Sequence, residues 1–448
     1  MANYFTPNLF TFVLKKEYIF NNYRSMENYS IVIFILAIMI GLSAVANKIK
    51  LPYPILLIIA GIAIGFIPDI PEISIESDIV FLIFLPPLLY EAAFNIPSHE
   101  FKTHINTIST LAISLVFITA VGIAATAHFL IPEMTWPLAF VLGAILSATD
   151  AVAAMSITKG LGLSHKTKTI LEGESLINDA SALVAYKFAV AAVTGTAFVL
   201  WKASLQFVIL LVGGLLIGIV MGKILAFILK RVHENHMVTI SFMLLMPFVT
   251  YQIAEELNVS GVISVVTLGL GIARFSNKIF PEPLKQESKS IWDIIIFILN
   301  GLIFILIGLE LPYVTKSIPN DQLIPYTLYA LIICIVALLL RTARVFLQQV
   351  NLKKAFQKNK WKITEHALLD IRTSIIISWS GMRGIVSLAL ALGLPVIMLN
   401  GEHFPERSAI IFISVVVVLF TLIGQGLTLP WIVKMLTKKD PNNKPETL

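Results

Sequence analysis

Over 448 residues the chain is 57% hydrophobic and only 13% charged, with a mean hydropathy of +0.86, which excludes a water-soluble domain and a disordered chain. The formal charge of +6 is distributed along the chain rather than gathered in one basic patch, so nucleic acid is not an expected partner. The lone cysteine, Cys334, excludes an intrachain disulfide. What remains is an all-α polytopic membrane protein.

A hydrocarbon core of ~30 Å asks for about 20 apolar residues per helix, and about thirteen runs approach that length. In chain order they are Ser30–Lys48, Pro52–Ile67, Asp78–Ile96, Asn106–Ile131, Pro137–Thr158, Lys166–Val193, Leu205–Leu229, Met237–Leu257, Ser260–Phe275, Ser290–Leu311, Gln322–Phe346, Leu369–Met398 and Arg407–Met435. Lys15 and Lys16 interrupt the first apolar stretch, so the first helix is expected to act as the insertion signal without a cleavable leader. With the N-terminus outside, roughly 23 Lys and Arg fall on one side, seven of them from Arg341 to Lys362, against about six on the other. That side is expected to be the cytoplasm, and an odd helix count leaves a short C-terminal tail there.

The third span carries Pro86-Pro87, which kinks it, and Glu91, a candidate for the ion path. The fifth holds Leu146-Ser147-Ala148-Thr149-Asp150-Ala151 among small residues. The sixth holds Leu171-Glu172-Gly173-Glu174-Ser175-Leu176-Ile177-Asn178-Asp179-Ala180, three carboxylates, a carboxamide and a hydroxyl inside a segment that otherwise reads as membrane. In the twelfth, Ser380-Gly381-Met382-Arg383-Gly384 sets a charge between two glycines. Ionisable groups in hydrocarbon are costly and mark function by default.

At ~1.5 Å per helical residue, Asp179 lies about 16 Å from Lys168, Asp150 about 14 Å from Lys159, Arg383 about 16 Å from Arg372, and Glu91 at a similar depth from Lys102. Four spans thus bring ionisable groups to one level. Glu174 is shallower, and its long side chain and that of Arg383 are expected to meet as a structural ion pair. Ser175 and Asp179 share a face of the sixth span, as do Glu174 and Asn178. Carboxylate, hydroxyl, carboxamide and carbonyl oxygens are the ligands a small hard cation needs. Asp179 is the group expected to take either cation or proton. Where the fifth and twelfth spans unwind, Asp150 and Arg383 would compensate exposed half-helix ends.

These motifs, with Leu85-Pro86-Pro87-Leu88-Leu89-Tyr90-Glu91-Ala92, Ala148-Thr149-Asp150-Ala151-Val152, Val259-Ser260-Gly261-Val262 and Asn300-Gly301-Leu302-Ile303-Phe304, occur in one order along the chain and resemble the monovalent cation:proton antiporter superfamily, in its sodium/proton exchanger branch. The resemblance implies about thirteen transmembrane helices, inverted repeats and two unwound crossing helices, with homodimers built on a dimerisation domain beside a mobile core. It implies that Asp179 is the exchanging carboxylate and that Asp150, Ser175 and the Thr149 backbone assist a bound Na+. Asn178 is the Asn of an Asn-Asp pair associated with electroneutral exchange, and Glu174 and Arg383 resemble the internal ion pair. Ala151 stands where many relatives carry proline.

The domain limits expected on this basis are an extracytoplasmic segment 1–29, dimerisation parts 30–97 and 237–315, core parts 98–200 and 316–437, a linker helix in 201–236 and a tail 438–448. The expected activity is exchange of Na+, with Li+ or K+ as alternatives, for H+ in a bacterial-type cytoplasmic membrane, serving pH homeostasis. Lipids are the other partners. No cofactor or nucleotide is expected, since the chain has no Gly-x-x-x-x-Gly-Lys-Ser/Thr. The alternatives are a passive monovalent cation channel and, on an Asp150/Asp179 pair, an intramembrane hydrolase. Against the hydrolase, Gly-x-Gly-Asp, Gly-x-Ser-x-Gly and His-Glu-x-x-His are all absent.

Overall fold

The computed structural model describes residues 33–46, 48, 53–67, 77–158, 160–194, 200–358, 364–398 and 401–437. The N-terminal segment 1–29 and the tail 438–448 lie outside them. Among the described residues the structure is helical, with a single isolated β-bridge between Ile397 and His403. This is the all-α architecture the apolar runs demand, because a helix satisfies its backbone internally where no water can.

The first helices are α1 (Ile33–Ala46), α2 (Tyr53–Gly65) and α3 (Ser77–Asn95), the last with Pro86 and Pro87 inside it. α4 (Ser98–Ser109) passes through a π-helical stretch, Thr110–Leu115, into α5 (Val116–Leu130). The fifth expected span is two half-helices, α6 (Trp136–Ile145) and α7 (Ala151–Ile157). α8 (His165–Val193) follows, its first turn capped by Ser164, then α9 (Leu200–Val232), α10 (His236–Glu256), α11 (Gly261–Ile279), α12 (Glu282–Lys316) and α13 (Asn320–Gln357). The twelfth span is also divided, into α14 (Ile371–Trp379) and α15 (Ile385–Leu392). α16 (Arg407–Phe420) continues through a second π-helical stretch, Thr421–Gln425, into α17 (Gly426–Thr437).

Eight of the described helical runs are long and apolar enough to cross a membrane, and four shorter apolar helices accompany them. The exposed Phe227, Ile324, Leu339 and Trp431 show the apolar outer surface that lipid requires. Small residues govern the closest helix pair. A Cβ on Gly61 would lie 2.2 Å from the Ile305 carbonyl oxygen, and one on Gly308 would lie 2.2 Å from that of Ile58, so α2 and α12 touch backbone to backbone.

α13 corrects one expectation. The sequence reading ends this span at Phe346 and counts Arg341 among the cytoplasmic loop charges. The helix runs on to Gln357, and Arg341 is only 2% exposed inside the bundle. Because α13 is longer than an apolar run shows, its cation lies at the site and not in a loop.

Candidate functional site

The two interrupted helices meet at their breaks. The Asp150 N–H donates to the Met382 carbonyl at 2.8 Å, tying the α6–α7 break to the α14–α15 break. The Asp150 Oδ1 caps α7, accepting from the N–H groups of Val152 at 2.8 Å and Ala153 at 3.3 Å. This cap explains why the helix restarts at Ala151 without a proline: a side-chain acceptor at the N-cap satisfies the orphan amides on its own. The other carboxylate oxygen presses on Gly384 at the start of α15, where a Cβ would sit 1.9 Å from Oδ2. One carboxylate therefore lies between the positive ends of two half-helices.

The opposite ends receive cations. Arg383 donates through Nη1 to the carbonyls of Ser147 at 2.9 Å and Ala148 at 2.8 Å, just beyond the C-terminus of α6. Arg341 donates from Nε to the Ile377 carbonyl at 3.0 Å, in the last turn of α14. The expectation that Asp150 and Arg383 compensate half-helix ends is thus met by geometry, and Arg341 does the same at the fourth end, that of α14. The freed amide of Arg383 donates to the Thr421 hydroxyl at 3.1 Å, supplied by the second π-helical stretch, and that hydroxyl donates onward to the Val418 carbonyl at 3.0 Å.

The ion pair is the correction of consequence here. Glu174 is paired with Arg341, not with Arg383: its Oε1 accepts from Nη1 at 2.5 Å and its Oε2 from Nη2 at 2.9 Å. Arg383 lines the same small internal pocket as Glu174, Thr149 and Arg341, which is why depth alone suggested it as the partner. The physical reason is that Arg383's guanidinium is engaged by the bare carbonyls of the α6 end, leaving the fork of Arg341 to match the carboxylate. Gly381 makes room for it, since a Cβ there would stand 2.2 Å from the Arg341 Cδ.

From α8, three further residues hold Thr149. Its hydroxyl donates to Glu174 Oε1 at 3.1 Å, and Asn178 Nδ2 donates to its carbonyl at 3.1 Å and its hydroxyl oxygen at 2.8 Å. Ser175 Oγ donates to the same carbonyl at 3.3 Å and accepts from the Ala151 N–H at 3.4 Å. Asp179 lies next along α8, 8% exposed and within Coulombic range of Asp150. Beside it, the buried Asp150 Oδ2 and Asn178 Oδ1 have no hydrogen-bond partner among the described residues.

Asp179, Asp150, Ser175, Thr149 and Asn178 are therefore brought together, with Glu174 and Arg383 around them. Glu91 is not in the cluster. Its Oε1 accepts from Asn95 Nδ2 at 2.5 Å on its own helix, and Asp293, Lys289 and Glu172 lie within Coulombic range of it. Equal depth did not mean equal position. Arg341 and Thr421 are the residues that sequence reasoning missed. An arginine inside an unbroken apolar span was a signal for the first, whereas nothing local marks the second.

A family model described as the transmembrane sodium/hydrogen exchanger matches residues 32–435. The chain is 35% identical over 419 residues to a sodium, potassium, lithium and rubidium/H+ antiporter of Bacillus pumilus, covering 90% of this chain and 61% of that one. It thus spans about three-fifths of the length of that relative and of a similarly named one from Bacillus subtilis. It is 34% identical to the Na+/H+ antiporter ApNhaP of Aphanothece halophytica, over 92% of this chain and 75% of that one. Among solved structures, the sodium proton antiporter MjNhaP1 of Methanocaldococcus jannaschii at pH 8 superposes with a TM-score of 0.68 at 20% identity, covering 92% of this chain and 98% of that one. This last likeness speaks for the fold alone.

Proposed function

We propose that this chain, which belongs to the sodium/hydrogen exchanger family, is a secondary antiporter that exchanges Na+ for H+ by alternating access. The observation that carries the proposal is the buried Asp179 carboxylate within Coulombic range of Asp150, beside the unpartnered Asp150 Oδ2 and Asn178 Oδ1. Such a group needs either a cation or a proton to neutralise it. It cannot hold both at once, so one site serves two substrates in alternation.

In this reading Asp179 supplies the exchanging oxygen, and the free Oδ2 of Asp150 and Oδ1 of Asn178 add ligands. The Ser175 hydroxyl and Thr149 carbonyl, now bonded to one another, turn toward the cation when it enters. Asn178 has a second task, because its Nδ2 fixes the unwound Thr149. It is also neutral, so the site carries one exchanging charge per cycle beside the fixed Asp150, which favours one-for-one exchange without net charge transfer. Glu174, Arg341 and Arg383 hold the scaffold and do not carry the ion.

Oxygen donors of this kind accept Li+ and K+ as well as Na+, in line with the several alkali cations that the Bacillus pumilus relative is named for. The remaining parts of the reading are homodimers in a bacterial cytoplasmic membrane, with lipid around them, the N-terminus outside and the C-terminus inside. A dimerisation body formed by 30–97 and 237–315 would flank a core formed by 98–200 and 316–437, with the linker helix in 201–236.

The test is exchange in proteoliposomes driven by an imposed pH gradient, with Na+, Li+ and K+ compared. Asp179→Asn is expected to abolish it while the protein still folds. Retained exchange in that variant would remove Asp179 from its role, and a proton-independent cation flux would favour a channel.

A further inference from the structure

The motif Val259-Ser260-Gly261-Val262 has no part in the site above, yet it anchors a carboxylate that is paired with the helix carrying Asp179. Between α10 and α11 the chain turns through Asn258, whose φ of 55° is left-handed, and the Val259 N–H closes on the Ala254 carbonyl at 2.9 Å. The Ser260 hydroxyl caps α11 by accepting from the Ile263 N–H at 3.3 Å, and the Gly261 N–H donates to Glu255 Oε1 at 3.1 Å. Only glycine fits there, because a Cβ would stand 2.7 Å from the Tyr251 ring. α11 is seated in turn on α9: a Cβ on Gly214 would lie 2.7 Å from the Ser260 carbonyl oxygen, and one on Gly218 2.4 Å from that of Ser264. Glu255 is therefore fixed on a stiff frame of α9, α10 and α11.

The other oxygen of Glu255, Oε2, accepts from Lys187 Nζ at 3.3 Å. Lys187 belongs to α8, which Ser175 ties to the α6–α7 break. It stands eight residues beyond Asp179, about 12 Å further along the same helix and toward the α10–α11 turn. The two side chains are 48% and 29% exposed, so the pair lies at the rim of the bundle, where ion pairs are weak enough to open and re-form. While it is made, α8 is joined to the α10–α11 corner on that side of Asp179, and no route between these elements is open there.

We infer that Lys187 and Glu255 are positioning residues that form an outer gate for exchange. Paired, they hold the outer end of α8 against the α10–α11 corner while Asp179 faces the cytoplasm; they part when it faces outside. The inference rests on the antiport reading and the orientation given above, since a site that never changes sides needs no gate.

The experiment measures the KM for Na+ from each face, in right-side-out and everted membrane vesicles, for wild type, Lys187→Met, Glu255→Gln, their double variant and Lys187→Arg. Glutamine keeps an acceptor for the Gly261 amide while removing the charge. A broken gate enlarges the fraction of protein open to the outside, so each neutral variant lowers the KM for outer Na+ by about threefold, and the KM at the cytoplasmic face is unchanged or raised. The double variant shifts no further than either single one, and Lys187→Arg behaves as wild type. Raising the ionic strength with choline chloride brings the wild type toward the neutral variants. An unchanged outer KM, a shift of the same sign and size at both faces, or shifts that multiply in the double variant each overturn the gate. Absence of exchange in wild-type vesicles refutes the antiport reading itself, and the two failures are read from separate samples.

Discussion

The Glu174–Arg341 pair makes a demand on stability that can be worked from its geometry. Arg341 gives three charge-assisted hydrogen bonds, two to Glu174 at 2.5 and 2.9 Å and one to the Ile377 carbonyl at 3.0 Å. Each is worth roughly 1.5–3 kcal/mol, but the net effect of Arg341→Met is smaller than their sum. Glu174 keeps the hydrogen bond from the Thr149 hydroxyl at 3.1 Å. The expected loss is about 3–5 kcal/mol, the usual consequence of leaving one member of a buried pair alone. Replacing both members, as in Glu174→Leu with Arg341→Met, is expected to recover much of that loss, because no uncompensated charge then remains. Thermal unfolding in detergent of the singles and the double gives the coupling between them. The parallel cycle with Arg383→Met is the control, and its coupling to Glu174 should be small because Arg383 is spent on the Ser147 and Ala148 carbonyls. A coupling of Glu174 to Arg383 larger than that to Arg341 would refute the assignment of the pair.

Two other perturbations follow from the same structure. Gly384→Ala places a Cβ 1.9 Å from Asp150 Oδ2 and must push the carboxylate from between the two half-helix ends, so transport in vesicles should fall at least tenfold while the protein still inserts; wild-type activity would show that the breaks are not packed as described. Outside the membrane-spanning segments, Glu406 has its carboxyl raised above the ordinary value by burial and by nearby Glu133. An acid raised in the folded state contributes stability that is complete below its unfolded value near 4.5 and lost as the pH climbs through the folded value. Glu406→Gln should therefore melt higher than wild type at neutral pH, with the difference closing toward pH ~4. An advantage that persists undiminished in acid would show another origin.

Much of this architecture was legible because membrane helices are written in apolar length, and that signal is local. The two breaks were also legible. Thr149-Asp150 amid small residues and Arg383 between glycines are poor material for a continuous apolar helix, and both half-helix pairs fall where those residues stand. Partner choice was not legible. Counting along a helix gives depth but neither the direction a side chain faces nor the lateral place of its helix. Arg383, Arg341 and Glu91 separate on those missing coordinates. Arg341 was further concealed by its neighbours, since Arg344 and the lysines beyond it read as one cytoplasmic run. Arg344 itself reaches back to the Ser114 hydroxyl at 3.3 Å.

The π-helical stretch Thr421–Gln425 has a meaning for how such a chain can vary. A π stretch is an α-helix that has absorbed an extra residue without losing the hydrogen-bonded path on either side. α16 and α17 therefore keep independent registers, and the surplus residue turns the Thr421 hydroxyl toward the Arg383 amide. A one-residue gap in the aligned sequences of relatives is best accommodated here, because losing a residue restores ordinary winding and leaves both flanking helices on their original faces. What such a gap removes is the hydroxyl that steadies the broken strand of backbone, so length variation at this spot becomes variation in how firmly the crossing is held.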